Sequence, residues 1–313
     1  MATKKPLLDI GNRNEEFARL SERMARLDEA FRMILSDFSH HIEVIFFKQE
    51  KSDLLNIKAD VEYRLFAAQF HLRLLLQHHH DIEEEVQRIY SKDAKQILQE
   101  VYPSHPLFDR HQNEANAIFD SIVFHLASIF DYFSAMINFI CKKKDRSITK
   151  WSNLARACRH PDNAYYALPV GEEIRNQDRE FVQKLYEYRS RLIHEKSYVN
   201  PIRLTIDVMS GKTQVRFEAA SSLCKKFPSL EKKSVDNEIT AAFAAKFLME
   251  ETITSIVKLL FRLKAHMESH STYPNHIAGH EIIMLYSEPG TGRAYPMSKP
   301  YWEELSKYFQ LNL

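Results

Sequence analysis

Apolar residues return every three or four positions over most of the chain. From Asn14 to about Leu35, Phe17, Leu20, Met24, Leu27, Phe31 and Ile34 line one face, which predicts an amphipathic helix. The stretch His41–Phe47 is too short for periodicity to separate helix from strand. Ser52 or Asp53 is placed to cap a helix through about Gln77, with Leu55, Ile57, Val61, Leu65 and Phe66 as its expected core residues. Asp81 to Val101 reads as a further helix, stopped by Pro103 and Pro106. A long helix is predicted from about Phe108 to Cys141. Its stripe is Ile118, Ile122, Leu126, Ile129, Phe130, Phe133, Ile137 and Ile140, with Asp120, His125, Asp131 and Asn138 interrupting or flanking it. Full burial of one such apolar side chain contributes about 1.5–3 kcal/mol, so this helix is expected at the centre of the fold. A short helix near Thr149–Cys158 leads to the loop His160–Asn163. The next helix starts near Glu172, carries Ile174, Phe181, Leu185, Tyr188 and Leu192 at heptad-like spacing, and stops at Asn200-Pro201.

The period then changes. Ile202–Val208 alternates, Ser210-Gly211-Lys212 has turn chemistry, and Thr213–Phe217 alternates again, which predicts a β-hairpin over about 201–218. Helical spacing resumes from about Val235 to Met267 with Ile239, Phe243, Phe247, Ile253, Ile256, Leu260 and Leu263. Residues 268–313 are expected to be mostly irregular, with a last short helix over Tyr301–Phe309. The fold class read from this pattern is mainly α, with an N-terminal helical extension (1–105), a helical bundle holding the hairpin (106–268) and a C-terminal tail (269–313).

Composition narrows the chemistry. The chain has 313 residues, 44% of them hydrophobic and 27% charged, the balance of a globular protein. Glycine occurs only 6 times, and neither GxGxxG nor GxxxxGK[ST] is present, so the common nucleotide-loop fingerprints are absent. No GxSxG points to a serine hydrolase. A net charge of +1 gives no global attraction to nucleic acid, so any RNA contact rests on local patches. Cys141, Cys158 and Cys224 are far apart and odd in number, which fits a reducing cytoplasm better than a disulfide framework. The N-terminus lacks the apolar run of a signal peptide. Ile118–Ile140 contains His125 and Asp131, so it is expected to be a core helix and no membrane contact is expected.

The candidate chemistry centres on Tyr186–Tyr198, which holds Arg189 and His194. An arginine keeps its charge at physiological pH, and a histidine exchanges a proton near neutrality. The pair suits a phosphodiester: the imidazole moves the proton and the guanidinium holds a phosphate oxygen. Arg191, Lys196 and the run Lys142, Lys143, Lys144 are candidate phosphate contacts; the same run also suits the negative end of a helix dipole. Glu195 is placed to pair with Arg191 one turn back. Histidine offers a metal alternative. His78, His79 and His80 point about 100° apart on a helix, and Gln77–Asp81 reads as a solvated helix end. His266/His270 and His276/His280 are i, i+4 pairs, and Pro274 between them allows one pair to fold onto the other around an ion.

The segment Phe130-Asp-Tyr-Phe133 on one long helix, Tyr188-Arg-Ser-Arg-Leu-Ile-His-Glu195 on a later one, and the amphipathic helix after it together resemble the HEPN superfamily. That superfamily carries Arg-x(4–6)-His near a helix end in a small helical bundle. Here the spacing is Arg-x4-His, with Leu192-Ile193 before the histidine. Ser190 is the small polar residue after the arginine. Lys196 stands where the toxin subset has tyrosine, and Tyr198 follows two positions later. The resemblance spans roughly residues 108–268. It implies a cofactor-free, metal-independent endoribonuclease in catalytic members, acting as a homodimer on RNA, in defence or stress, with an antitoxin or other protein partner possible. Arg189 and His194 would be its catalytic residues, with Ser190, Arg191, Lys196 and Tyr198 in support. A non-catalytic module of the same shape, binding nucleotide, RNA or protein, is the alternative, and a purely structural helical dimer is a third.

Overall fold

The computed structural model describes residues 13–41, 49–92, 106–141, 150–194, 201–207, 209–233, 239–270, 285–287, 294–296 and 298–311. The chain is mainly α, as its periodicity predicts. In order come α1 (Arg13–His41), α2 (Gln49–Lys92), α3 (Pro106–Ile140), α4 (Trp151–Arg159) and α5 (Pro169–Gln177). A π-helical turn (Asp178–Val182) follows, then α6 (Gln183–His194), β1 (Ile202–Asp207), β2 (Lys212–Phe217), α7 (Ser221–Lys226) and α8 (Pro228–Lys233). The last elements are α9 (Ala241–Ser269), β3 (Leu285–Ser287), β4 (Ala294–Pro296) and α10 (Ser298–Tyr308). The strands form two antiparallel pairs, β1 with β2 and β3 with β4. His41–Phe47 falls, past its first residue, outside the described residues.

The helix expected over 53–77 and the described part, to Lys92, of the one expected over 81–101 are a single helix, α2. Gln77–Asp81 contains no breaker, and it is bridged from within: Gln77 Nε2 donates to Asp81 Oδ1 at 2.7 Å, and His80 Nε2 lies 3.1 Å from Glu84. Leu55 and Phe66, expected in the core, are exposed. The buried line is Leu54, Val61, Leu65, Ala68, Leu72 and Leu75, and each misplaced residue lies one position, about 100°, beyond it. Helix α3 is long and apolar enough over Asp109–Ile140 to cross a membrane by length and composition. Its stripe from Phe119 to Ile140 is packed inside the fold, with Ile122, Leu126, Ile129, Phe130 and Phe133 fully buried.

Contacts divide the chain into two compact units, each built from three separate stretches. The first is Met1–Ser21, Arg64–Ala127 and Lys184–Glu250. Here α2, α3, α6, α9 and the hairpin share a core that includes Leu72, Ile122, Leu185, Val215 and Phe247. The hairpin register runs from Ile202 opposite Phe217 to Asp207 opposite Lys212. Its turn is closed by Asp207, whose carboxylate accepts from the Met209 backbone N–H at 3.0 Å and from the Ser210 hydroxyl at 2.5 Å, and by Gly211 at a φ of 66°. The outer edge of β2 is served by α2. Gln87 Oε1 accepts from the Thr213 N–H at 2.9 Å, Glu83 Oε1 accepts from the Val215 N–H at 3.2 Å, and His79 Nε2 donates to the Val215 carbonyl at 2.5 Å.

The second unit is Glu22–Tyr63, Ser128–Gln183 and Glu251–Leu313. Residues of the N-terminal third pack in this unit: Phe31 meets Phe133 edge to face at 6.3 Å. The last short helix, expected over Tyr301–Phe309, is α10 (Ser298–Tyr308). Helix α10 buries Trp302 against Phe261, and the indole N–H donates to Asp37 at 2.8 Å. In the π-helical turn, buried Asp178 accepts from the Trp151 indole at 2.7 Å and pairs with Arg159.

Candidate functional site

The sequence motif lies on α6, in the first unit. Leu185 and Tyr188 are its buried residues and fix the helix against the core. Tyr186 Oη donates to the Ala127 carbonyl of α3 at 3.0 Å, and Glu187 pairs with Lys226 of α7. These contacts orient the opposite surface of α6, where the motif side chains emerge.

Arg189 is half-buried, and its guanidinium carbon sits 5.6 Å from the centre of the Phe124 ring of α3. Its Nε is buried without a hydrogen-bond partner, and no carboxylate among the described residues pairs with it. The guanidinium is therefore held by a ring face and keeps its charge for an outside anion. His194 is the last residue of α6 and is exposed, as are Ser190 and Arg191; Ile193 beside it is 56% exposed. Five residues on a helix correspond to about 140° of rotation and about 7.5 Å of rise. Arg189 and His194 of one chain therefore share a helix end without sharing a face. Lys142, Lys143, Lys144, Glu195, Lys196 and Tyr198 lie outside the described residues.

Phe124 is a contact that sequence reasoning missed. Half-buried on α3, it gives no sign in the sequence of what covers it. One turn earlier on the same face is Asp120, whose carboxyl burial pushes up to about 6, so it exchanges its proton near neutrality. On the adjoining face His125 packs beside His71 at 5.2 Å, and Arg64 lies 3.4 Å from its Nδ1; burial first, then these two neighbours, depress the His125 pKa.

The metal alternative fares differently. His266 and His270 do come together, with ring centres 4.2 Å apart, but His266 is buried and His270 Nδ1 is engaged by the His266 carbonyl at 3.0 Å. His276 and His280 lie outside the described residues. The run expected as a solvated helix end is mid-helix, and its three histidines face three ways. His79 is buried under β2, His80 reaches Glu84, and His78 faces His111 and Glu114 of α3. A groove beside His80, lined also by Glu83, Glu84, Gln87, Arg88 and Thr213, carries mixed charge and none of the motif residues. No protein-family model matches this chain, and no curated protein or solved structure is significantly similar to it.

Proposed function

We propose that this protein is a metal-independent endoribonuclease of HEPN type, working as a homodimer. The observation that carries the reading is the state of the motif: an exposed His194 at a helix end, preceded by Arg189 held on Phe124 and free of any carboxylate among the described residues. Because the two side chains do not share a face, a complete site needs a second copy. A two-fold axis at the ends of two α6 helices would gather two arginines and two histidines around one phosphate.

In that site one His194 imidazole takes the proton of the RNA 2′-hydroxyl as its oxygen bonds to phosphorus. The phosphorus–O5′ bond breaks, and the second imidazole, protonated, supplies the leaving oxygen with its proton. Arg189 offsets the charge that builds on the phosphoryl oxygens. The products are a 2′,3′-cyclic phosphate and a 5′-hydroxyl. DNA, without the 2′-hydroxyl, is left intact. Exposed Arg191 and Ser190 border the same helix end and suit contact with the flanking strand. A reducing cytoplasmic setting suits the free thiols Cys141, Cys158 and Cys224.

The test is cleavage of a mixed RNA pool in EDTA by wild type, Arg189→Ala and His194→Ala. Loss of a positioned general acid–base should lower the rate about 10²–10⁴-fold. Absence of cleavage, or equal cleavage by all three proteins, refutes the enzyme; RNA retention without cleavage would then point to the non-catalytic binding module.

A further inference from the structure

His78 of α2 and His111 and Glu114 of α3 form a cluster that the chemistry of Arg189 and His194 leaves unused. His111 and Glu114 are three apart on α3 and so project from one face. His78 reaches them from α2, its ring stacked parallel to Phe217 of β2 at 5.9 Å and 9°. One carboxylate oxygen, Glu114 Oε2, lies 3.7 Å from His78 Nε2 and 3.6 Å from His111 Nδ1. The three ligand atoms all fall within 4.8 Å of one another. Nitrogen and oxygen ligands around a tetrahedral zinc ion, with bonds of about 2.0–2.2 Å, sit roughly 3.4 Å apart. Small side-chain rotations therefore bring these atoms onto one ion.

His111 supplies an independent reason. Its side chain is only 12% exposed, and both ring nitrogens are buried without a hydrogen bond. Buried polar atoms are rarely left idle, because desolvation without a partner is costly. A cation at Nδ1 would satisfy one nitrogen. The other, Nε2, has Glu85 Oε2 at 3.4 Å, the position of the outer carboxylate that orients a metal-bound imidazole. Glu114 is held in the same way: its second oxygen accepts from Arg110 Nε at 2.9 Å, which orients the carboxylate.

We propose that His78, His111 and Glu114 bind one zinc ion that ties α2 to α3, with solvent in the fourth position. Two imidazoles and one carboxylate favour zinc over magnesium or calcium, which prefer oxygen alone. At present His78 Nε2 lies 3.1 Å from the His111 carbonyl and donates to it. Zinc takes that nitrogen instead, so His78 binds as the tautomer protonated on Nδ1. Glu114 precedes Phe124 by ten residues, about 15 Å along α3, so the ion and Arg189 are not in contact.

The test is titration of metal-free full-length protein with Zn²⁺ by calorimetry and with Co²⁺ by visible absorption. One equivalent should bind, with the intense d–d bands of a low-coordinate Co²⁺ site, and Zn²⁺ should raise the unfolding temperature. Glu114→Gln and His111→Gln should abolish the bands, Glu85→Gln should weaken binding about 10–100-fold, and His80→Ala should leave it unchanged. Circular dichroism confirms that each variant is folded. Should His111→Gln not fold, Glu114→Gln decides alone, since its side chain is 41% exposed. Absence of binding by wild type overturns the proposal. So does binding that survives Glu114→Gln or is lost with His270→Ala.

Discussion

Replacing His79 with alanine should cost about 3 kcal/mol, although its neighbour His80 can be replaced almost without effect. His79 is 8% exposed, donates to the Val215 carbonyl at 2.5 Å, and meets the Phe217 ring edge to face at 5.5 Å. Truncation leaves a buried acceptor unsatisfied, a penalty of about 1–3 kcal/mol. It also removes an aromatic pair worth about 0.5–1.5 kcal/mol. The middle of the summed range is about 3 kcal/mol. His80 has 30% of its side chain exposed and reaches Glu84, one turn along, so His80→Ala should change stability by less than about 0.5 kcal/mol. Urea denaturation followed by far-UV circular dichroism gives both numbers. Equal stability of the two variants would refute the placement of His79 under the hairpin.

Gly171→Ala should destabilise the second unit by about 1–3 kcal/mol, because an added Cβ would stand 1.9 Å from the Tyr165 carbonyl oxygen; an unchanged unfolding temperature would refute that close approach. Burial, then a hydrogen bond from the protonated Glu62 carboxyl to the Asp28 carboxylate, pushes Glu62 up to about 7 from an ordinary 4.5, against the pull of Lys58. The folded state therefore holds a proton that the unfolded chain releases, and this site's contribution to stability falls as pH rises from about 4.5 to 7. Wild type should lose stability relative to Glu62→Gln between pH 5 and 8 in paired urea titrations, and parallel curves would refute the shift.

Periodicity was enough to read α3 and the hairpin, because each carries a long repeat of one period. It failed at α2 for two physical reasons. The histidines at 78–80 look like a polar interruption, yet helix formation needs no apolar residue, only the absence of a breaker, and i, i+4 pairs bridge the stretch. The buried face also had to be chosen between Leu54 and Leu55 and between Leu65 and Phe66. Neighbouring apolar residues give no local basis for that choice; the packing partner decides it. The same limit holds for the chemistry. Arg189 and His194 announce themselves by spacing, whereas Phe124 under Arg189 depends on how α6 lies on α3. His78 and His111 are more than thirty residues apart and meet only because α2 and α3 pack together. The i, i+4 pair His266/His270 was visible, and its rings do meet, 4.2 Å apart, while His276 and His280 lie outside the described residues.

The side chains of Gln87, Glu83 and His79 along β2 have a bearing on solubility. A two-stranded ribbon ordinarily leaves a row of open N–H and C=O groups on which a strand from another molecule can add. Here a helix supplies those partners, so the N–H of Thr213, the N–H of Val215 and the Val215 carbonyl are occupied before a second chain arrives. The edge of β2 thus sits under a helix and does not offer a template for sheet growth. Partial unfolding that lifts α2 away would expose that edge together with Val215 and Phe217, which makes the contact between α2 and β2 the first guard against self-association.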